Sequence, residues 1–154
     1  MGRIKIGDII ELSIPEGVAY AQYINKHKSY GALLRVFSKL HKTRPDSLNT
    51  ILDGEIQFIC FFPLQAAVKR QVVTVAGNAE VPINASVMPV FRNGVMDPKT
   101  QKVAVWWFWD GEKEWKVGTL KEEQKKMPIL GCWNDTLLIE RLLSGWRSEN
   151  DSTT

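Results

Sequence analysis

The sequence predicts a β-rich α+β fold: an N-terminal antiparallel meander forming a small barrel or curved sheet, a further aromatic hairpin, and a C-terminal helix packed on it. Two observations predict this fold class. Short runs of β-forming residues alternate with turn residues over much of the chain, and the last apolar run carries helical spacing. Because 154 residues match the usual size of one domain, we expect a single globular unit.

The meander is expected from three successive runs near the N-terminus. Residues 9–14 alternate apolar and polar side chains once past Ile9, and Pro15-Glu16-Gly17 predicts a turn after them. Residues 18–25 and 30–37 continue the β-forming pattern. Three short, consecutive antiparallel strands favour closure into a strongly curved barrel of the SH3-like kind.

The next segments predict a loop, a strand, a helical turn and a strand. Residues 38–49 are polar and typical of an exposed loop. Residues 56–62 are apolar on both faces, which indicates a buried strand. Residues 63–70 begin with proline, the residue favoured at the first helical position, and residues 72–75 are again β-prone.

The aromatic hairpin follows a stretch without a clear period. Residues 77–101 contain several Gly and Pro residues, and we expect long loops with one short extended piece at 87–91. Residues 102–109 then give a strong strand signal, and Asp110-Gly111 separates them from a second strand at 115–120. This order is typical of a β-hairpin.

Two helices are predicted after the hairpin. Thr119 and Glu122 have capping-box spacing before a short helix at 121–126. The segment 133–136 offers several N-cap residues, and an apolar helical face follows that ends at Gly145. That face consists of Leu137, Leu138, Ile139, Leu142 and Leu143.

Composition limits the class of protein. The 20 basic and 17 acidic residues are interleaved, so the net charge of +3 gives no strong field and does not favour nucleic acid as partner. Two cysteines, no signal-peptide pattern and no membrane-spanning run predict a cytoplasmic protein without a disulfide. We expect residues 1–147 to form one domain and the polar tail 148–154 to fray.

No enzyme motif is found, so a binding protein without cofactor, metal site or catalytic residues is predicted. His27 and His41 lie in basic, polar contexts and are interpreted as solvated loop residues. Cys60 lies in a predicted buried strand and is interpreted as a small hydrophobe. Two carboxylates such as Asp110 and Asp135 could still meet in space, so a small hydrolase is one further hypothesis.

The aromatic strand carries the first partner-binding candidates. Trp106 and Phe108 must point to one face, and Trp107 and Trp109 to the other. A sheet buried on both faces is favoured, but a partly covered second face would present stiff side chains to a partner. Asp110 is best explained as a turn residue.

A second candidate segment precedes the terminal helix. Asn134 or Asp135 can cap that helix, which is the favoured interpretation, while an exposed Trp133 beside an acid would suit recognition of a basic surface. The candidate partner-binding residues are Trp107, Trp109, Asp110, Trp133 and Asp135.

Several short segments form a further pattern along nearly the whole chain. They are Gly7-Asp8, Ile14-Pro15-x-Gly17-x-Ala19-Tyr20, Phe91-Arg92, Trp106-Trp107-x-Trp109-Asp110-Gly111 and the terminal Gly145-Trp146. Together they resemble the immunity protein 26 family of bacterial polymorphic toxin systems. The resemblance implies a cytoplasmic antidote that binds and neutralises a cognate toxin, the C-terminal toxin domain of a neighbouring gene product. It supplies no site residues. We expect the protein to be a monomer or weak dimer.

The alternative from another class is a small nucleic-acid-binding module with an SH3-like barrel. It would use Lys39, Lys42 and Arg44 on the polar loop, with aromatic side chains for base stacking. A steep fall of affinity with salt would mark that module, whereas an antidote would bind one protein partner without turnover.

Overall fold

The computed structural model describes residues 3–154. The strands are β1 (Asp8–Ile14), β2 (Gly17–His27), β3 (Gly31–Phe37), β4 (Ile56–Phe62), β5 (Thr74–Asn78), β6 (Phe91–Asn93), β7 (Trp106–Trp109) and β8 (Glu114–Gly118). The helices are α1 (Leu48–Leu52), α2 (Leu64–Lys69), α3 (Ile83–Ser86) and α4 (Asp135–Ser144), with 3-10 turns at Glu122–Lys126 and Ser148–Asn150. The β-rich α+β class is confirmed.

The first sheet has five antiparallel strands in the order β4-β3-β2-β1-β5. The predicted meander supplies its centre, with Leu12 opposite Ala19 and Tyr23 opposite Leu34. The edge strands β4 and β5 share no pairing within the described part of the chain. The prediction that the meander closes into a barrel is therefore wrong, and the sheet stays open. The physical reason is that helices, rather than the opposite wall of a barrel, cover the apolar face of this sheet.

One face of the five-stranded sheet packs against α2 and α4. Leu64 of α2 and both Leu138 and Leu142 of α4 are buried in the same cluster as the alternating residues of β1 to β4. The apolar period of the terminal helix therefore predicts its contact face correctly, although Leu143 lies on the exposed side. Asn134 accepts a hydrogen bond from the Leu137 N–H at 2.8 Å and caps the helix.

The other face of the sheet carries two separate clusters. α1 covers one half through Ile51, which packs with Tyr20 and Phe37. The second, three-stranded sheet covers the other half, where Phe91 of β6 packs with Phe61 of β4. The protein is thus layered as helices, large sheet and small sheet, with α1 beside the small sheet.

The small sheet has the antiparallel order β6-β7-β8. The predicted hairpin is confirmed, but β7 begins at Trp106 instead of residue 102. Residues 97–102 form a turn, in which the Asp97 N–H donates to the Lys102 carbonyl, and Val103 bridges back to Met96. Backbone groups of Asp97, Lys102 and Val103 are engaged in these contacts. They are therefore not free to form the strand pairing that a β7 beginning at residue 102 would require.

The 3-10 turn at Glu122–Lys126 replaces the predicted capping box. Lys121, rather than Thr119, precedes the turn, and its N–H donates to the Gln124 side-chain oxygen at 2.8 Å. Glu122 instead pairs with Lys125 at 2.7 Å on the exposed side. The Glu122 carboxylate therefore pairs with Lys125 and does not accept the backbone hydrogen bond that the predicted capping box requires.

The C-terminal segment lies against the small sheet. Arg92 on β6 is 0% exposed and donates through Nη2 to the Ser148 carbonyl at 2.6 Å and to Thr154 Oγ1 at 3.1 Å. The Val103 N–H donates to the Thr153 carbonyl at 3.0 Å. The fraying predicted for residues 148–154 stays a prediction about motion, but the structure gives this segment defined partners.

Candidate protein-binding surface

The aromatic strand β7 has one face that belongs to the interior. Trp106 and Phe108 are buried and pack with Leu120. The guanidinium carbon of Arg92 lies 4.5 Å from the centre of the Trp106 ring, a cation–π arrangement. Trp115 of β8 meets Phe108 edge-on at 6.1 Å, yet the Trp115 side chain is still 41% exposed. This face of the hairpin is therefore core with one exposed indole at its edge.

Trp109, on the opposite face of β7, is enclosed by other aromatic rings. Its ring centre lies 4.8 Å from His27, 5.2 Å from Tyr30 and 5.7 Å from Phe91. This aromatic cluster joins the small sheet to the large one. Aromatic pairs of this kind stabilise a fold by more than the free energy expected from their buried area alone. Trp109 therefore serves the sheet-to-sheet contact, which agrees with the interpretation favoured from the sequence.

Trp107 shares a face with Trp109 but lies beyond this cluster and is 38% exposed. It borders a surface depression of about 400 Å³ with Val95, Ala104 and Val105. We call these four residues the Trp107 patch. Val95 is 89% exposed and Val105 41%, so apolar side chains adjoin the exposed indole, and contiguous apolar patches of this kind mark interaction sites.

Polar groups surround the patch. On the neighbouring strands, Asn93 of β6 and Lys116 of β8 stand directly opposite Trp107. Glu114 also lines the depression. An apolar centre with a polar rim of both charge signs is the usual composition of a protein–protein interface.

The loop that carries the patch is held by close contacts. A Cβ atom at Gly94 would collide with the Val103 side chain and reach the Val105 carbonyl oxygen at 3.0 Å, so this close approach requires glycine. The bridge between Met96 and Val103 and the contact of Val103 with the C-terminal segment fix the same loop. The patch is consequently presented on an ordered support.

Asp110 supports the turn of the hairpin, as the sequence favours. Its Oδ1 accepts hydrogen bonds from the Glu112 N–H at 2.9 Å and the Lys113 N–H at 2.8 Å. These backbone donors, Lys113 first, lower the pKa of the Asp110 carboxyl. Because its best acceptor positions serve the turn, Asp110 is a structural residue in this arrangement.

His27 is not the solvated loop residue that the sequence analysis expects. It is half-buried, and its Nδ1 lies 3.0 Å from the Ser29 N–H nitrogen and 3.3 Å from that of Tyr30, so Nδ1 accepts. Nε2 lies 2.8 Å from the Gly111 carbonyl oxygen and donates to it in the corresponding tautomer. Gly111 is 84 residues away from His27 in the sequence. The residues next to His27 in the sequence therefore could not indicate this contact.

His41 is likewise half-buried rather than solvated. Its backbone bridges to Val18, and its ring meets Tyr20 edge-on at 5.5 Å. Burial, followed by the charge of Lys39, lowers the pKa of the His41 imidazole.

Trp133 lies in the core rather than at the surface. It is 5% exposed, contacts Phe58 at 4.9 Å and Trp146 at 5.3 Å, and stacks under the Arg141 guanidinium at 4.3 Å. An indole so enclosed offers little area to a partner. Asp135 is the first residue of α4 and directly follows the capping residue Asn134. The segment is therefore a helix start, which is the interpretation that the sequence favours.

The structure separates the two carboxylates of the hydrolase hypothesis. Asp110 lies at the turn of the small sheet, and Asp135 begins the helix that covers the opposite face of the large sheet. Cys60 is fully buried, and burial raises the pKa of its thiol. Within residues 3–154, no three His, Cys, Asp or Glu side chains gather into an arrangement that could hold a metal ion.

The basic loop of the nucleic-acid alternative is partly engaged. Arg44 donates to both carboxylate oxygens of Glu11, at 2.8 and 3.0 Å, and Tyr20 donates to the same carboxylate at 2.7 Å. The Arg44 hydrogen bond lowers the pKa of Glu11. Lys39 and Lys42, on the same loop as Arg44, are exposed. Only two of the three proposed cations therefore face solvent without a carboxylate partner among the described residues.

No helix in residues 3–154 has the length and apolar character required to cross a bilayer. Comparison of the chain with protein-family models, with curated proteins and with solved structures gives no match in any of the three. The surface chemistry of the Trp107 patch is therefore the main structural guide to function.

Proposed function

We propose that this protein is an immunity protein that binds a cognate toxin domain through the Trp107 patch and neutralises it in the cytoplasm of the producing cell. The observation that carries the proposal is the exposed Trp107, flanked by Val95 and Val105 on a small sheet. The sequence resemblance to the immunity protein 26 family supplies the kind of partner.

The energetics of the patch support a protein partner. Covering the exposed part of one indole contributes about 2 kcal/mol, so a tryptophan at the centre of an interface can be a hot spot. The two flanking valines extend the apolar area around it. Since the Trp107 backbone is paired on both sides, the strand that carries the indole is already ordered before binding.

Neutralisation requires binding and no chemical step. The polar rim contains Glu114 and Lys116, which have opposite charges, so apolar contact and shape rather than a field of one sign would select the toxin. We therefore expect association to depend weakly on salt. A nucleic-acid module would show the opposite behaviour, because phosphate neutralisation makes affinity fall steeply with salt.

The proposal is tested by co-expression of this chain with the toxin domain of the neighbouring gene product. Cells that make both proteins should survive, and the two chains should purify together. An unrelated toxin of the same activity serves as the control, because survival of cells that carry it would indicate inhibition of a general process. Death of cells that contain both proteins at comparable levels would contradict the proposal.

A further inference from the structure

A second concave surface lies on the large sheet and shares no lining residue with the Trp107 patch. It is a groove of about 650 Å³ between the ends of β2 to β4 and the beginning of α2. Its apolar walls come from Ile4, Tyr23, Tyr30, Phe62 and Leu64. This volume lies in the range of clefts that enclose small organic ligands.

The charged groups that line the groove are all of one sign. Arg3 and Lys26 are exposed, and no carboxylate contributes to the lining. Neither cation forms a salt bridge to any acidic side chain of residues 3–154. The groove therefore places two cations that have no acidic partner among the described residues beside the aromatic side chains of Tyr23 and Tyr30.

Tyr23 adds a polar group to the apolar wall. Its side chain is 5% exposed, and its hydroxyl makes no hydrogen bond to a side chain or backbone group in the described chain. The nearby Asp8 is already engaged, since it accepts from the Lys5 N–H and from the Asn78 amide at 2.9 Å each. Burial, followed by the charge of Asp8, raises the pKa of the Tyr23 phenol, which therefore stays protonated and able to donate.

We propose that this groove binds a small organic anion with an apolar, preferably aromatic, body. The anionic group, a carboxylate or sulfonate, pairs with Arg3 and Lys26, and the Tyr23 hydroxyl donates a further hydrogen bond. The apolar body packs against Ile4 and Tyr30, which line the groove and are only half-buried. A neutral ligand of the same shape loses the charge pairing, and an inorganic anion loses the apolar contact.

The probe for this chemistry is 1-anilinonaphthalene-8-sulfonate, an aromatic sulfonate whose fluorescence rises in an apolar site. Its uncharged analogue N-phenyl-1-naphthylamine has a similar apolar body without the sulfonate. Both dyes are titrated into the folded protein and into the R3A/K26A double variant. Lys69→Ala is the control for removing a positive charge outside the groove, because Lys69 is exposed on α2 and does not line the groove. Trp107→Ser tests the other apolar surface.

We expect saturable sulfonate binding that weakens about tenfold or more in R3A/K26A, because charge-assisted contacts are lost. Lys69→Ala and Trp107→Ser should leave it within about twofold, and the uncharged dye should bind weakly to all forms. Tyr23→Phe keeps the ring and should weaken the sulfonate alone. Absence of binding, binding that survives in R3A/K26A, or binding lost only in Trp107→Ser would overturn the proposal.

Discussion

His27 Nε2 lies 2.8 Å from the carbonyl oxygen of Gly111 and joins the end of β2 to the tight turn between β7 and β8. The His27 ring also contacts Trp109, whose cluster forms the contact between the two sheets. Gly111 has a φ of +103°, a conformation that favours glycine, so the carbonyl is oriented by the turn itself. This imidazole is thus one of the contacts that hold the small sheet on the large one.

His27→Ala should lower the free energy of unfolding by about 1–3 kcal/mol, because a hydrogen bond and an aromatic contact are removed together. Chemical denaturation measures this change. His41→Ala is the control, since His41 contacts Tyr20 with its ring but does not bridge the two sheets. Equal losses in the two variants would show that His27 has no special role in joining the sheets.

Arg92 should hold the C-terminal segment in place. Arg92→Lys removes the Nη2 hydrogen bonds to Ser148 and Thr154 and the stacking on Trp106, and should cost about 2–4 kcal/mol. Hydrogen exchange of the backbone amides in residues 148–154 should then become faster than in the parent protein.

The matched control for that substitution is Arg147→Lys, which alters a more exposed pair with Glu55 and should cost less than about 1 kcal/mol. Unchanged amide exchange in Arg92→Lys would contradict the account of the C-terminal segment. Fast exchange already in the parent protein would instead support the fraying predicted from the sequence.

Gln71 has a φ of +61° immediately after α2, a conformation that glycine adopts more easily than glutamine. Gln71→Gly should therefore stabilise the protein by about 0.5–1 kcal/mol. Gln65→Gly, inside α2, is the matched control and should destabilise it by a similar amount. Thermal or chemical unfolding that changes in the same direction for both variants would contradict this explanation.

Asp151 should make stability sensitive to acid. Burial alone would raise the pKa of its carboxyl, but hydrogen bonds from Thr153 and Trp146 and the charge of Arg141 outweigh burial and lower it. A lowered folded-state pKa means that the carboxylate stabilises the protein above the unfolded value of 3.8 and loses this effect as pH falls through the folded value.

Asp151→Asn should accordingly reduce stability by about 1–3 kcal/mol at neutral pH and flatten the decline of the unfolding free energy below about pH 4. Asp46→Asn, at an exposed loop position, should leave that decline unchanged. An acid profile identical in Asp151→Asn and the parent protein would show that this carboxylate does not contribute to it.

The sequence predicts those elements whose pattern is local. The meander strands and α4 agree with the prediction within about two residues because alternation and cap residues mark their ends. Within 77–101 the sequence predicts one extended piece at 87–91, whereas the structure has α3 at Ile83–Ser86 and places β6 at Phe91–Asn93. Neither element carries a period, and both form where the chain meets the large sheet. The sequence also could not decide whether Trp107 and Trp109 are buried or available to a partner. Trp109 is enclosed by Tyr30 and Phe91, which are distant in the sequence, and Trp107 lies beyond that cluster.

Trp107 and Trp115 offer the most direct test of the proposed binding surface. Both are tryptophans of the small sheet with similar exposure, 38% and 41%, and their side chains lie on opposite faces because Trp115 pairs with Phe108. The measurement is the affinity of an inactivated toxin domain for Trp107→Ser and Trp115→Ser, after equal unfolding midpoints have been verified. Trp107→Ser should weaken binding about 30-fold or more and Trp115→Ser less than about threefold. Unchanged affinity in Trp107→Ser, or a greater loss in Trp115→Ser, would contradict the account.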